Sequence, residues 1–209
     1  MKPKLVTPSK AGFLGLALLG VAVAPARAAG SVDEAYVRSL AAPGKMVLVI
    51  EYYDGNQQVV GRRGYASVAG FKAVSPLDIR VDDKVTLHLY GLEPCQGDMV
   101  NRQENFAGAC ADFATDHLAV MLRSPRVIYC RAFLSEEKAP VQDATCFGYY
   151  NYPGALDDIA NFEEQLVSLG ALRLSKKTDG SLMRPDLAKA EQIGRTGFGM
   201  WGDPRNKTR

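Results

Sequence analysis

Histidine is scarce in this sequence: His88 and His117 are the only two. Tryptophan occurs once, at Trp201. The four cysteines, Cys95, Cys110, Cys130 and Cys146, include no closely spaced pair. These shortages argue against a zinc site, which draws Cys and His ligands from short spacings. No internal repeat, low-complexity block or interdomain linker interrupts the chain, which argues against a solenoid or a multidomain array. No apolar run reaches the roughly 20 residues needed to cross a bilayer. The longest, Ala11 to Ala24 (AGFLGLALLGVAVA), is too short and too rich in small residues.

That run does have another use. Lys2, Lys4 and Lys10 precede it, and Ala26-Arg27-Ala28 follows with small residues at the two positions a signal peptidase reads. The pattern predicts a signal peptide over residues 1–28, cleaved after Ala28, and a periplasmic or secreted protein with no membrane span after cleavage. Export changes the charge balance. The chain has 25 basic residues; without Lys2, Lys4, Lys10 and Arg27 there remain 21 against 23 acidic, a net of −2. A mature chain near neutrality has no global field to attract nucleic acid.

An even number of cysteines in an exported chain reads as two disulfides, with three possible pairings. The sequence-local pairing, Cys95 with Cys110 and Cys130 with Cys146, would close two loops of about 15 residues, each contributing on the order of 3 kcal/mol through loop entropy.

With 47% apolar and 23% charged residues, the remainder is suited to one core. Residues 29–63 predict an N-terminal segment with a short helix or tether, a strand over Met46–Glu51, and a return strand from Gln57 after the Asp54-Gly55 turn. Gly64 to Val74 reads as strand. Leu77, Ile79 and Val81 alternate with Asp78, Arg80 and Asp82, and Val85, Leu87 and Leu89 repeat the pattern, giving one apolar and one wet face. Helical spacing follows over Ala107–Arg123, then strands over Arg126–Phe133 and Asp143–Tyr150. Two more helices are expected, over Leu156–Leu169 with Gly170 as its stop and over Asp186–Gly194. About five antiparallel strands with some three helices favour a small β-barrel carrying helices, an α+β, mainly β class, although hairpins alone do not separate a barrel from an open sheet.

Four stretches narrow this. Leu87 to Gln96 (LHLYGLEPCQ) is similar to a strand-and-turn motif written V-R-L-x-G-I-D-x-P-E. Cys110 opens a helix leading to Val127-Ile128-Tyr129-Cys130 and then Ala144-Thr145-Cys146. Leu166 to Ala171 (LVSLGA) and Ala188 to Trp201 (AKAEQIGRTGFGMW) match a helix end and a closing segment. In this order and spacing, from about Gly64 to Gly202, they resemble the staphylococcal-nuclease-like (thermonuclease) family. The resemblance implies a five-stranded OB-fold barrel with about three helices over residues 64–209, ending in a basic C-terminal tail.

Active members of that family cleave nucleic acid with Ca²⁺ held by two aspartates, a glutamate over the attacking water and two phosphate-gripping arginines. A hard cation needs gathered oxygen ligands, and guanidinium forks neutralise the phosphate oxygens. The resemblance places Glu93 at the second metal aspartate, Gln96 at the glutamate and His88 at the first arginine. No arginine stands where the second belongs, only Lys138 nearby, a point charge without a fork. For the first aspartate two registers compete, one placing Asp78 at the metal position and the other Leu77. Buried apolar periodicity favours the second, because a one-residue slip turns every side chain to the opposite face.

An amide cannot act as a base, and each lost electrostatic donor typically costs about 100- to 1,000-fold in rate. The expectation is therefore a pseudoenzyme: an exported, nuclease-like domain, stripped of catalysis, that binds an unidentified protein or envelope partner or contributes structure. Glu93, Gln96 and His88 are then vestigial, and no cofactor is needed. Tyr149, Tyr150 and Tyr152 are candidates for a binding surface, since aromatics on such a barrel can stack bases or anchor a partner. The alternatives are a Ca²⁺-dependent nuclease with rearranged ligands, Asp78, Glu93 and Asp98, and a nucleic-acid binder that does not cleave.

Overall fold

The computed structural model describes residues 32–151 and 158–206. The expected signal peptide and its cleavage point at Ala28, together with Tyr152, Leu156, Lys207 and Arg209, lie outside the described residues. No helix among the described residues is long and apolar enough to cross a membrane.

Helix α1 (Glu34–Ser39) starts where the Asp33 carboxylate accepts the Tyr36 N–H at 3.1 Å, a side-chain cap for an otherwise unpaired donor. Strand β1 (Met46–Tyr53) buries both faces. Leu48, Ile50 and Tyr52 enter the main core, while Val49, with Val47 half-buried beside it, packs under Val37 of α1 in a second cluster. The Asp54 carboxylate accepts the Asn56 and Gln58 N–H groups, both at 2.9 Å. The chain thereby turns back into β2 (Val59–Ser67).

After a break at Gly70 come β3 (Lys72–Ala73), β4 (Asp78–Arg80) and β5 (Thr86–Leu89). Ile79, Leu87 and Leu89 are fully buried, as the alternation predicts. Then follow β6 (Leu92–Glu93), the hairpin β7 (Asp98–Asn101) and β8 (Phe106–Ala109), and helix α2 (Cys110–Met121). Strands β9 (Val127–Phe133) and β10 (Val141–Tyr150) come next, then β11 (Asp158–Asn161), α3 (Phe162–Ser168), β12 (Arg173–Leu174) and α4 (Ala188–Gly194).

The class is α+β. The main sheet runs β2-β1-β9-β10-β5-β4-β3, with β11 added on β10. It is mixed: β1 runs parallel to β9 and β5 parallel to β10, and the other pairs are antiparallel. The expectation of five antiparallel strands is therefore corrected. Among the described residues no ladder joins β2 to β3, so the path has two ends and no closed barrel is seen. Strand β1 is paired on both edges, antiparallel to β2 and parallel to β9, and so stands inside the sheet.

Both disulfides follow the sequence-local pairing. Cys95–Cys110 ties the turn after β6 to the first residue of α2. Cys130–Cys146 links directly opposed residues of β9 and β10. Such bonds persist in oxidising compartments.

Candidate functional site

Glu93 owes its position to the turn before it. Gly91 has φ +74°, and a Cβ there would meet Arg184 Cγ at 2.7 Å. Only glycine fits both the left-handed backbone and the close approach. The turn sets Glu93 on β6 opposite Arg173 on β12. Arg173 donates to Glu93 Oε1 from Nε, and its Nη2 lies near the same oxygen, both at 2.8 Å. Around them is a hollow of about 420 Å³, also lined by Gln96, Lys176, Glu191 and Arg195. Glu191 is occupied as well: it accepts the Leu174 N–H at 3.1 Å and lies 3.5 Å from Arg195. Each acid thus faces an arginine, and Lys176 leaves the hollow net positive. Such a hollow repels a dication.

Asp78 is engaged elsewhere. Leu77 packs half-buried against the core and Ile79 is fully buried, so Asp78 turns to the opposite face. There it pairs with His88, Oδ1 to Nδ1 at 2.7 Å, and accepts from the Ser75 hydroxyl. Asp143 flanks His88 from the other neighbouring strand, because β5 pairs His88 with Asp78 on β4 and with Asp143 on β10. Burial pushes the Asp143 carboxyl up from its ordinary value, and His88 opposes that shift. A carboxylate on Nδ1 orients an imidazole and reserves Nε2 for proton transfer. The sequence offers His88 no identifiable acid; cross-strand register supplies two.

Among the described residues no three His, Cys, Asp or Glu side chains gather closely enough to hold a metal ion. Asp98 is exposed on β7, and Arg205 reaches its carbonyl at 3.3 Å. His117 lies 3.2 Å from Glu104, its ring centroid 4.3 Å from that of Phe113.

Next to Asp143 the sheet forms a cleft of about 240 Å³, lined by Tyr53, Tyr90, Arg131, Phe133, Glu136 and Asp143 among others. The Tyr53 and Phe133 rings are 4.5 Å apart, and the Arg131 guanidinium sits 5.0 Å from the centre of the Tyr53 ring. Tyr90 and Phe133 remain exposed. Tyr149 and Tyr150, by contrast, are buried. Tyr149 belongs to the cluster under α1, and the Tyr150 hydroxyl donates to the Met121 carbonyl at 3.0 Å. The displayed aromatics come from β1, from β9 and from the turn that follows β5.

No family model matches this chain, and no curated protein matches it.

Behind the cleft lies a buried ion pair that sequence reasoning misses. Glu163 on α3 is fully buried, and both its oxygens accept the Cys146 N–H at 3.2 Å. Arg184 stands 3.8 Å away. It donates to the Tyr90 carbonyl at 3.4 Å and the Thr145 hydroxyl at 3.3 Å, and forks onto Asp186. Burial pushes the Glu163 carboxyl up to about 7, against the opposing pull of Arg184 and the hydrogen bonds. The pair fixes the wall that carries Tyr90 and Thr145.

Proposed function

We propose that this protein is an exported, non-catalytic binding module built on a nuclease-like scaffold, with its contact surface at the aromatic cleft of Tyr53, Tyr90 and Phe133. One observation carries the reading: the Glu93 carboxylate is held by Arg173 at 2.8 Å in a hollow shared with Lys176 and Arg195. Where the resemblance asks for clustered acids around Ca²⁺, arginine partners and the Gln96 amide stand instead. The OB-like part of the scaffold, on this reading, is β3-β4-β5-β10-β9, with β1 and β2 added beside β9. Its strand order, antiparallel except for β5 beside β10, supports that assignment. Export is supported by the two disulfides and by the N-terminal sequence pattern.

The cleft combines stackable rings, a guanidinium and two acids, Glu136 and Asp143. It suits a partner that presents a ring or an apolar side chain beside polar groups. The test is hydrolysis of single- and double-stranded DNA and RNA by the oxidised protein, with Ca²⁺ and with chelator. The expected result is no turnover above a no-enzyme control in either condition. Ca²⁺-dependent turnover that Glu93→Gln abolishes would contradict the proposal.

The 2.7 Å contact between Asp78 and His88 favours a second reading, metal-independent hydrolysis with His88 as acid–base. The chelator arm separates the two readings. Turnover that persists without metal and disappears in His88→Gln would establish the second.

A further inference from the structure

Away from both regions lies a cleft of about 590 Å³ with Lys45, Lys72, Arg123 and Arg126 in its lining and no acidic side chain. Three segments supply these cations: the turn before β1 (Lys45), strand β3 (Lys72) and the connection from α2 to β9 (Arg123 and Arg126). All four residues are exposed. Among the described residues none of them has a carboxylate at salt-bridge distance. Arg62, Arg173, Arg184, Arg195 and Arg205 each do.

The backbone holds the four in place. The Arg126 carbonyl accepts the Val47 N–H at 3.1 Å, its own N–H donates to the Tyr149 carbonyl at 2.7 Å, and the Arg123 N–H donates to the Val120 carbonyl at 3.2 Å. Lys45 closes an isolated bridge with Ala42. The floor is apolar, formed by buried Phe71 and Leu122. Lys72 also stands directly across from Arg80 on β4, and like charges opposed across a ladder destabilise it. The carbonyl end of α2 accounts for one cation, Arg123. The other three have no such partner. Seven other described cations, Arg38, Arg62, Arg63, Arg173, Arg184, Arg195 and Arg205, have a carboxylate at salt-bridge distance; in this cleft four cations converge without one.

We propose that this cleft binds a ligand carrying two or more phosphate groups, free in solution or as a lipid headgroup. Two guanidinium forks and two ammonium groups suit phosphate oxygens, bidentately from arginine and as point charges from lysine. The volume is in the range of small-molecule sites and exceeds what one phosphate fills. The cleft is independent of the aromatic surface and of the Glu93 hollow, so this assignment stands or falls apart from the function proposed above.

Calorimetric titration of the oxidised protein with tripolyphosphate, at low and at physiological salt, tests it. The expected result is saturable one-to-one binding that weakens with salt. Lys72→Glu with Arg126→Glu should reduce affinity by at least about tenfold, on the scale of one lost charge-assisted hydrogen bond. Lys176→Glu, in the Glu93 hollow, should leave it unchanged. Circular dichroism checks that the variants fold, and Arg123→Gln with Lys72→Gln replaces the reversal pair if it does not. Sedimentation with vesicles containing cardiolipin, whose headgroup carries two phosphates, against phosphatidylcholine alone, identifies the source. Vesicle binding lost in the same variants assigns the headgroup, and tripolyphosphate binding without it assigns the free anion. Absence of saturable tripolyphosphate binding, or equal loss in the Lys176→Glu control, overturns the proposal.

Discussion

At Glu163 burial and charge oppose each other. The carboxyl is fully buried, with the Cys146 N–H and the Arg184 guanidinium as its neighbours, yet burial outweighs them and raises its pKa from 4.5 to about 7. A group whose pKa is raised on folding contributes stability that is fully present below its unfolded value and is lost as pH rises through the folded one. Chemical denaturation of the wild type should therefore show stability falling between about pH 4.5 and pH 7 from this group. In Glu163→Gln that decline should be absent or much reduced. An unchanged slope would show that another group is responsible. Neither Glu163 nor Arg184 announces itself in the sequence, because both read as solvated residues until α3 and the segment before α4 close on β10. Asp78 and His88 are each visible as wet-face residues of a strand. Their meeting depends on the register of β4 on β5, which local spacing does not determine.

The elements were legible where periodicity is long and the partner is near in sequence. The alternation through Ile79, Leu87 and Leu89 gives β4 and β5, and the helical spacing through Leu118 and Met121 gives α2. The boundaries differ where a short strand precedes a helix. Ala107 extends the helical spacing on paper, but Phe106–Ala109 forms β8 because it pairs with β7. Leu156–Leu169 reads as one helix, yet Asp158–Asn161 joins β10 as β11 and α3 begins at Phe162. A signal for that start exists: Asn161 is followed by Glu164, whose N–H its side chain accepts at 3.0 Å, and an Asn before an acid at this spacing marks a helix N-terminus. The parallel pairing of β1 with β9 joins residues far apart in the chain, and no local pattern reports it. The disulfides act at this scale too. Cys95–Cys110 and Cys130–Cys146 span 15 and 16 residues, so loop entropy assigns each about 3 kcal/mol. Replacing either pair by alanine should lower the melting temperature by roughly 6–12 °C, from about 2–4 °C per kcal/mol at this chain length. A negligible shift for either pair in calorimetry would mean the bond adds nothing beyond the ladder or turn it joins.

Across the whole molecule, charge is distributed by region. Acids and arginines are matched around Glu93 and behind the aromatic cleft, while the cleft at Lys72 and Arg126 holds cations alone. Among the described residues this distribution gathers no acid cluster for a divalent ion beside Glu93, and the cations proposed to bind phosphate lie in a separate cleft. A ligand that binds only the folded state raises its melting temperature. Thermal denaturation of the oxidised protein with and without millimolar Ca²⁺ therefore tests the central claim most directly. The account predicts coincident transitions, and a Ca²⁺-dependent rise in melting temperature that Glu93→Gln removes would contradict it.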